Sequence, residues 1–210
     1  MEPKRSFSSV DALKFGLDRT TKNFGQIWLV LVVYFVVFVG INLLTAFING
    51  RSQNFLLILS VNLATFIPAL WLSLGIIKVF LKVVDNQPVT LPDLFSQTDK
   101  IFNYILANIA YFLVVVFGFI LLFIPGLILS YKYILFPYFI VDRGMGPLEA
   151  LKASGKATSG VKLKLFGFTI LIGLVAMAGM LALLVGLVFA TPVCAIAFTY
   201  VYRTLSADAA

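Results

Sequence analysis

Apolar residues run through this chain in stretches far longer than a soluble core needs, with polar residues confined to short intervals between them. A helix rising 1.5 Å per residue crosses about 30 Å of hydrocarbon in about 20 residues. Six runs of that size are legible. The first covers 27–48 and is closed by Asn49-Gly50-Arg51, a turn signal; the second covers 57–80, with Pro68 inside it marking a kink. The stretch 101–141 is too long for one helix, and Ile124-Pro125-Gly126 divides it as a hairpin turn into spans at 102–123 and 127–142. A further stretch, 163–202, divides near Gly186 into 164–184 and 187–204. Ala178, Ala182, Gly186 and Ala190 recur at four-residue intervals, so these residues could instead line one continuous packing face.

None of these runs alternates with a period of two, so helices rather than a closed barrel must satisfy the backbone in lipid. The expected fold class is all-α, a polytopic integral membrane protein. It has six transmembrane helices and short cytoplasmic amphipathic helices, in one membrane domain over 1–210, with 1–26 as a cytoplasmic amphipathic segment. Composition agrees: 61% of the residues are hydrophobic and 12% charged, against about a quarter charged in soluble domains. With no histidine and one cysteine, Cys194, the chain has no disulfide framework and almost no means of holding a transition metal, so no cofactor is expected.

Charge sets an orientation. Fourteen of the 16 basic residues, all but Arg51 and Lys132, fall before the first span, between spans two and three or at their ends, between four and five or at their ends, or at the close of six. All nine acids, from Glu2 to Asp208, fall on that same side. Cytoplasmic loops collect Lys and Arg, so both termini are expected in the cytoplasm of a prokaryotic cell, with the chain in the inner membrane. The first apolar run begins only at residue 27 and is a full span long, which reads as a retained helix rather than a cleaved signal.

Each odd-numbered span is preceded by a similar helix start. Ser8 with Asp11, Thr90 with Asp93 and Gly146 with Glu149 each place a capping-type residue three positions before an acid. Three short cytoplasmic helices follow. In the first, Val10, Leu13, Leu17 and Phe24 share one face while Lys14, Asp18 and Lys22 share another, the spacing of a helix lying on the interface. Aligning Gly126 with Gly186 also aligns Arg143 with Arg203. Three parallel two-span repeats would produce this pattern, as would the general need of any loop to cap the helix it enters.

The run Ile124-Pro125-Gly126-Leu127-Ile128-Leu129, with Tyr131-Lys132-Tyr133, Pro137, Asp142, Glu149-Ala150-Leu151-Lys152-Ala153-Ser154 and Gly160, resembles a broad prokaryotic family of six-span membrane proteins. That family is similar to the membrane domain of some glycerophosphodiester phosphodiesterases. The likeness is specific over 121–168 and poor over the first two spans. It implies a six-helix inner-membrane fold and no particular chemistry, since the phosphodiesterase barrel has no counterpart here. Where the family often carries bulkier basic and aromatic residues, this chain has Gly155, Lys156 and Ala157.

Lys132 is the leading candidate for function, because charge inside a membrane is costly. It stands roughly 9 Å along a helix from the Pro-Gly turn. Either its stem snorkels to the headgroups between Tyr131 and Tyr133, or it holds a lipid phosphate or other anion. Asn108 and Asn62, with Asn42 and Asn103, would bond a neighbouring helix or line a path. With no carboxylate or histidine within the spans, catalysis and proton-driven transport are disfavoured. The expected function is a non-catalytic membrane component that binds lipid or a protein partner, its lipids anionic on the cytoplasmic face. A passive or partner-driven transporter of a lipid or small anionic solute is the alternative. The basic loops lack interleaved aromatics, so no nucleic acid is expected.

Overall fold

The computed structural model describes residues 7–181 and 183–207, with the side chains of 183–185 and 187 excepted. Glu2, Lys4, Arg5, Ala182 and Asp208 therefore lie outside the described residues. Every regular element among the described residues is helical, and six helical runs are long and apolar enough to cross a membrane. The chain is a multi-pass membrane protein.

Three antiparallel hairpins form the body. The first joins α2 (Phe24–Arg51) to α3 (Phe55–Val84), the second joins α4 (Ile101–Leu121) to α5 (Phe123–Tyr133) and α6 (Phe136–Arg143), and the third joins α8 (Lys162–Leu181) to α9 (Leu183–Ser206). Ahead of each stands a short element: α1 (Ser9–Lys22), two 3-10 turns (Leu91–Phe95 and Thr98–Lys100), and α7 (Pro147–Ala157). One short element of each unit docks on the hairpin of another unit. The α1 helix packs on α9, the Leu91–Phe95 turn on α3 and α2, and α7 on α4, α5 and α6, so the docking order closes on itself.

Glycines permit two of these contacts. A Cβ on Gly75 of α3 would collide with the backbone carbonyl of Leu94, and one on Gly16 of α1 with the carbonyl of Val193 in α9. The buried face of α1 is accordingly Ala12, Gly16 and Thr20, while Val10 and Leu17 are 56% and 55% exposed. The apolar face read from the sequence is thus only partly free of protein: Val10 and Leu17 are open, as a helix on a membrane surface requires, whereas Leu13 packs against the core and Phe24 stacks on Phe189 of α9, and a different, small-residue face anchors the helix.

Both predicted turns move. α4 ends at Leu121 and the chain reverses at Leu122, whose backbone is extended, so Pro125 and Gly126 lie inside the first turn of α5. Proline fits there because a first-turn N–H has no helical partner to lose. Gly126 is buried beneath the Phe119 ring and beside Gly118. Gly186 is likewise not a turn: it lies inside α9, and a Cβ on Gly179 would stand 2.8 Å from its carbonyl oxygen. In both hairpins the glycines bring two helices together next to the reversal, which places the signal a few residues from the turn itself. Pro68 does not interrupt α3.

Burial is uneven along the spans. The two buried clusters lie toward the end of the bundle that carries the short elements, hereafter the charged end. Beyond Val30 no residue of α2 is buried, and before Leu72 none of α3 is. In α4 only Gly118 is buried beyond Ala107.

Candidate functional site

The fourth span is not one helix. Pro137 withholds the N–H that would bond the Tyr133 carbonyl, and the helix breaks at Ile134 and Leu135 between α5 and α6. The docked α7 repairs the break. Ser154 Oγ accepts the Leu135 N–H at 3.1 Å and lies 3.1 Å from the Lys132 carbonyl oxygen, which also accepts the Thr158 hydroxyl at 2.9 Å. Ser154 and Thr158 are both fully buried. A membrane interior tolerates a broken helix where a neighbour supplies such partners.

Lys132 therefore sits at a helix break rather than within a regular span. Its side chain runs across α7 at Gly155, and its Nζ lies 5.0 Å from the centre of the Tyr133 ring. Among the described residues it joins no ion pair. Tyr131 and Tyr133, expected to flank it, go separate ways: the Tyr131 hydroxyl lies 2.8 Å from Thr169 Oγ1 in α8 and its ring meets Phe166 edge to face. Tyr133 instead faces a cleft of about 220 Å³ between α4, α5 and α7. Ala110, Tyr111 and Val114 of α4 and Leu148, Leu151 and Lys152 of α7 line it with Tyr133.

The asparagines do not join this site. Asn108 donates to the Tyr104 carbonyl at 2.8 Å and Asn62 to the Ile58 carbonyl at 2.7 Å, each four residues back in its own helix. Asn42 does the same with Phe38. The expected bonds to neighbouring helices are replaced by local ones, and neither Asn62 nor Asn108 lines the cleft.

The helix starts hold, in three forms. Ser8 Oγ accepts the Asp11 N–H at 3.2 Å. Asp93 accepts both the N–H and the hydroxyl of Thr90 at 2.8 Å, and pairs with Lys82 of α3 at 2.6 Å. Glu149 accepts the Gly146 N–H at 3.3 Å. The second start thus opens a 3-10 turn rather than an amphipathic α-helix, and its acid ties that turn to the first hairpin.

A polar cluster at the charged end was not anticipated. Arg203 at the end of α9 donates from Nε to Asp85 at 2.9 Å, forms a second bond to the same carboxylate through Nη2, and reaches Asp142 at 2.6 Å. Tyr202 donates to Asp142 at 2.8 Å, and Arg143 donates to the Ser206 carbonyl at 2.6 Å. Asp85, Asp142 and Arg203 close α3, α6 and α9 respectively, so one cluster ties the ends of all three hairpins. The alignment of Arg143 with Arg203 was the available signal, since it placed both arginines at corresponding helix ends.

The chain matches proteins described as uncharacterized from Mycobacterium bovis and from two strains of Mycobacterium tuberculosis. Each is 32% identical over 148 residues, which cover 69% of this chain and 44% of the relative. The matched segment is thus less than half of each relative's length. No family model matches, and no solved structure does.

Proposed function

We propose that the protein is a non-catalytic component of a prokaryotic cytoplasmic membrane that binds lipid, with a protein partner as a further ligand of its exposed faces. The observation that carries this reading is the uneven burial: the hairpins are tied at the charged end, while the far halves of α2, α3 and α4 leave apolar faces that the described protein does not cover. In a bilayer, acyl chains are the available cover, because lipid tails are as apolar as these side chains. Ser8, Asp93, Glu149, Ser154, Thr158 and Arg203 are spent on structure, capping helices, repairing a break or tying helix ends together.

In this reading the charged end faces the cytoplasm, on the bias of Lys and Arg. Three two-span units, each led by a short element, account for the closed docking order and for paired glycines at Gly118 and Gly126 and at Gly179 and Gly186. The alternative is a partner-driven lipid carrier. It is favoured by the Asp85, Asp142 and Arg203 cluster, which closes one end of the bundle while the described far halves carry no comparable tie.

Native mass spectrometry of the full chain released from lipid nanodiscs tests the reading, with retained lipid and companion protein as the readout. Reproducible retention of lipid supports it, and a chain emerging bare overturns it. Accelerated exchange of a fluorescent phospholipid between leaflets of reconstituted vesicles would favour the carrier instead.

A further inference from the structure

The cleft between α4, α5 and α7 combines two features that a purely structural gap would not need together. Its walls, Ala110, Val114, Leu148 and Leu151 with Tyr111 beside them on α4, are largely apolar and extend from the start of α7 well into α4. Its rim is cationic. Lys152 borders it directly, and Lys132 folds its ammonium over the ring of Tyr133, which borders it too. Among the described residues neither lysine has a carboxylate partner, and Glu149, the acid of the same helix, is turned to the Gly146 N–H. Gly155 leaves room for the Lys132 side chain as it runs toward Tyr133, and a Cβ there would crowd its Cε at 3.1 Å.

We infer that this cleft seats one anionic phospholipid from the leaflet at the charged end, with an acyl chain along the apolar walls and the phosphodiester held by Lys132 and Lys152. The inference rests on the lipid-binding reading above and gives it a site and a headgroup charge. The occupant follows from complementarity: a free phosphate has no use for the apolar walls, and a zwitterionic phospholipid, though it carries the same phosphodiester, sets a cationic head group of its own against the two lysine ammonium groups, which a net anionic lipid does not. Tyr133 stands between the two regions, where an amphipathic ring belongs.

The test uses the full chain in nanodiscs of equal parts phosphatidylglycerol and phosphatidylcholine, followed by native mass spectrometry. Wild type is expected to retain one phosphatidylglycerol in preference to phosphatidylcholine. Each of Lys132→Met and Lys152→Met should reduce that retention about fivefold, the factor expected of one cation near a lipid phosphate. Ala110→Trp should abolish it by filling the cleft, and the double variant Lys132→Arg with Lys152→Arg should restore it, which separates charge from folding. Equal retention by wild type and all variants would overturn the site while leaving lipid binding intact. Retention indifferent to headgroup would overturn the charge argument. Displacement of the lipid by inorganic phosphate would reassign the lysines to a free anion and overturn the proposal. A bare wild-type chain would overturn both this inference and the reading on which it rests.

Discussion

The Cε of Lys132 in α5 lies where any side chain larger than hydrogen at Gly155 in α7 would meet it, with a Cβ only 3.1 Å away. The space that the absent side chain leaves is occupied by Lys132. The obstruction is the far end of a flexible side chain. Gly155→Ala is therefore expected to be neutral or stabilising by up to about 1 kcal/mol, since alanine favours a helix interior by that amount. Thermal denaturation checks the sign, and a loss above that size would show that Lys132 cannot move aside.

Gly75→Ala should behave in the opposite way. The atom in its path is the Leu94 carbonyl, held by the 3-10 turn, and backbone cannot step aside as a lysine can. A loss of about 1–3 kcal/mol or more is expected. Gly16→Ala in α1, facing the Val193 carbonyl, should lose a similar amount. Denaturation in detergent that finds either variant as stable as wild type would mean that these elements are not docked as described.

Ser154→Ala removes the acceptor for the Leu135 N–H and one donor to the Lys132 carbonyl in a fully buried place. The expected cost is roughly 1–3 kcal/mol, the penalty of leaving a buried group unsatisfied. Thr158→Ala should cost less, because Ser154 remains to serve the same carbonyl. Amide exchange is the sharper readout: the Leu135 N–H should lose protection in the serine variant and keep it in the threonine variant.

Arg203→Met leaves Asp85 and Asp142 without the cation that joins them. The cluster is partly shielded, so about 1–3 kcal/mol is the scale for its charge-assisted bonds, and raised ionic strength should narrow the difference from wild type. Arg203→Lys should recover only part, since an ammonium cannot present the paired Nε and Nη2 donors that Asp85 accepts. Full recovery by lysine would assign the effect to charge alone.

Much of the architecture was legible because a membrane imposes a length. Runs of about 20 apolar residues can do little else in lipid than form helices, so the number and approximate bounds of the spans follow from hydropathy alone. Helix starts were legible for a similar reason: Ser8, Thr90 and Glu149 act on N–H groups or acids within three residues, and such contacts are local. The turns were read a few residues out of place. Gly126 and Gly186 signal close helix approach, and proline at 125 suits a first helical turn as well as a loop.

Tertiary structure alone decided what each polar side chain faces. Asn62 and Asn108 had carbonyls of their own helices within reach, and nothing in one sequence ranks those against a neighbouring helix. Tyr131 and Tyr133 are two residues apart, which on a helix sends them to different sides, one to α8 and the other to the cleft. Asp85 and Arg203 meet only because three hairpins converge at one end. Hydropathy fixes which stretches cross lipid and local capping fixes where helices begin, whereas partners 19 to 118 positions apart are set by which hairpin lies beside which, a property of packing geometry that no single stretch of chain encodes.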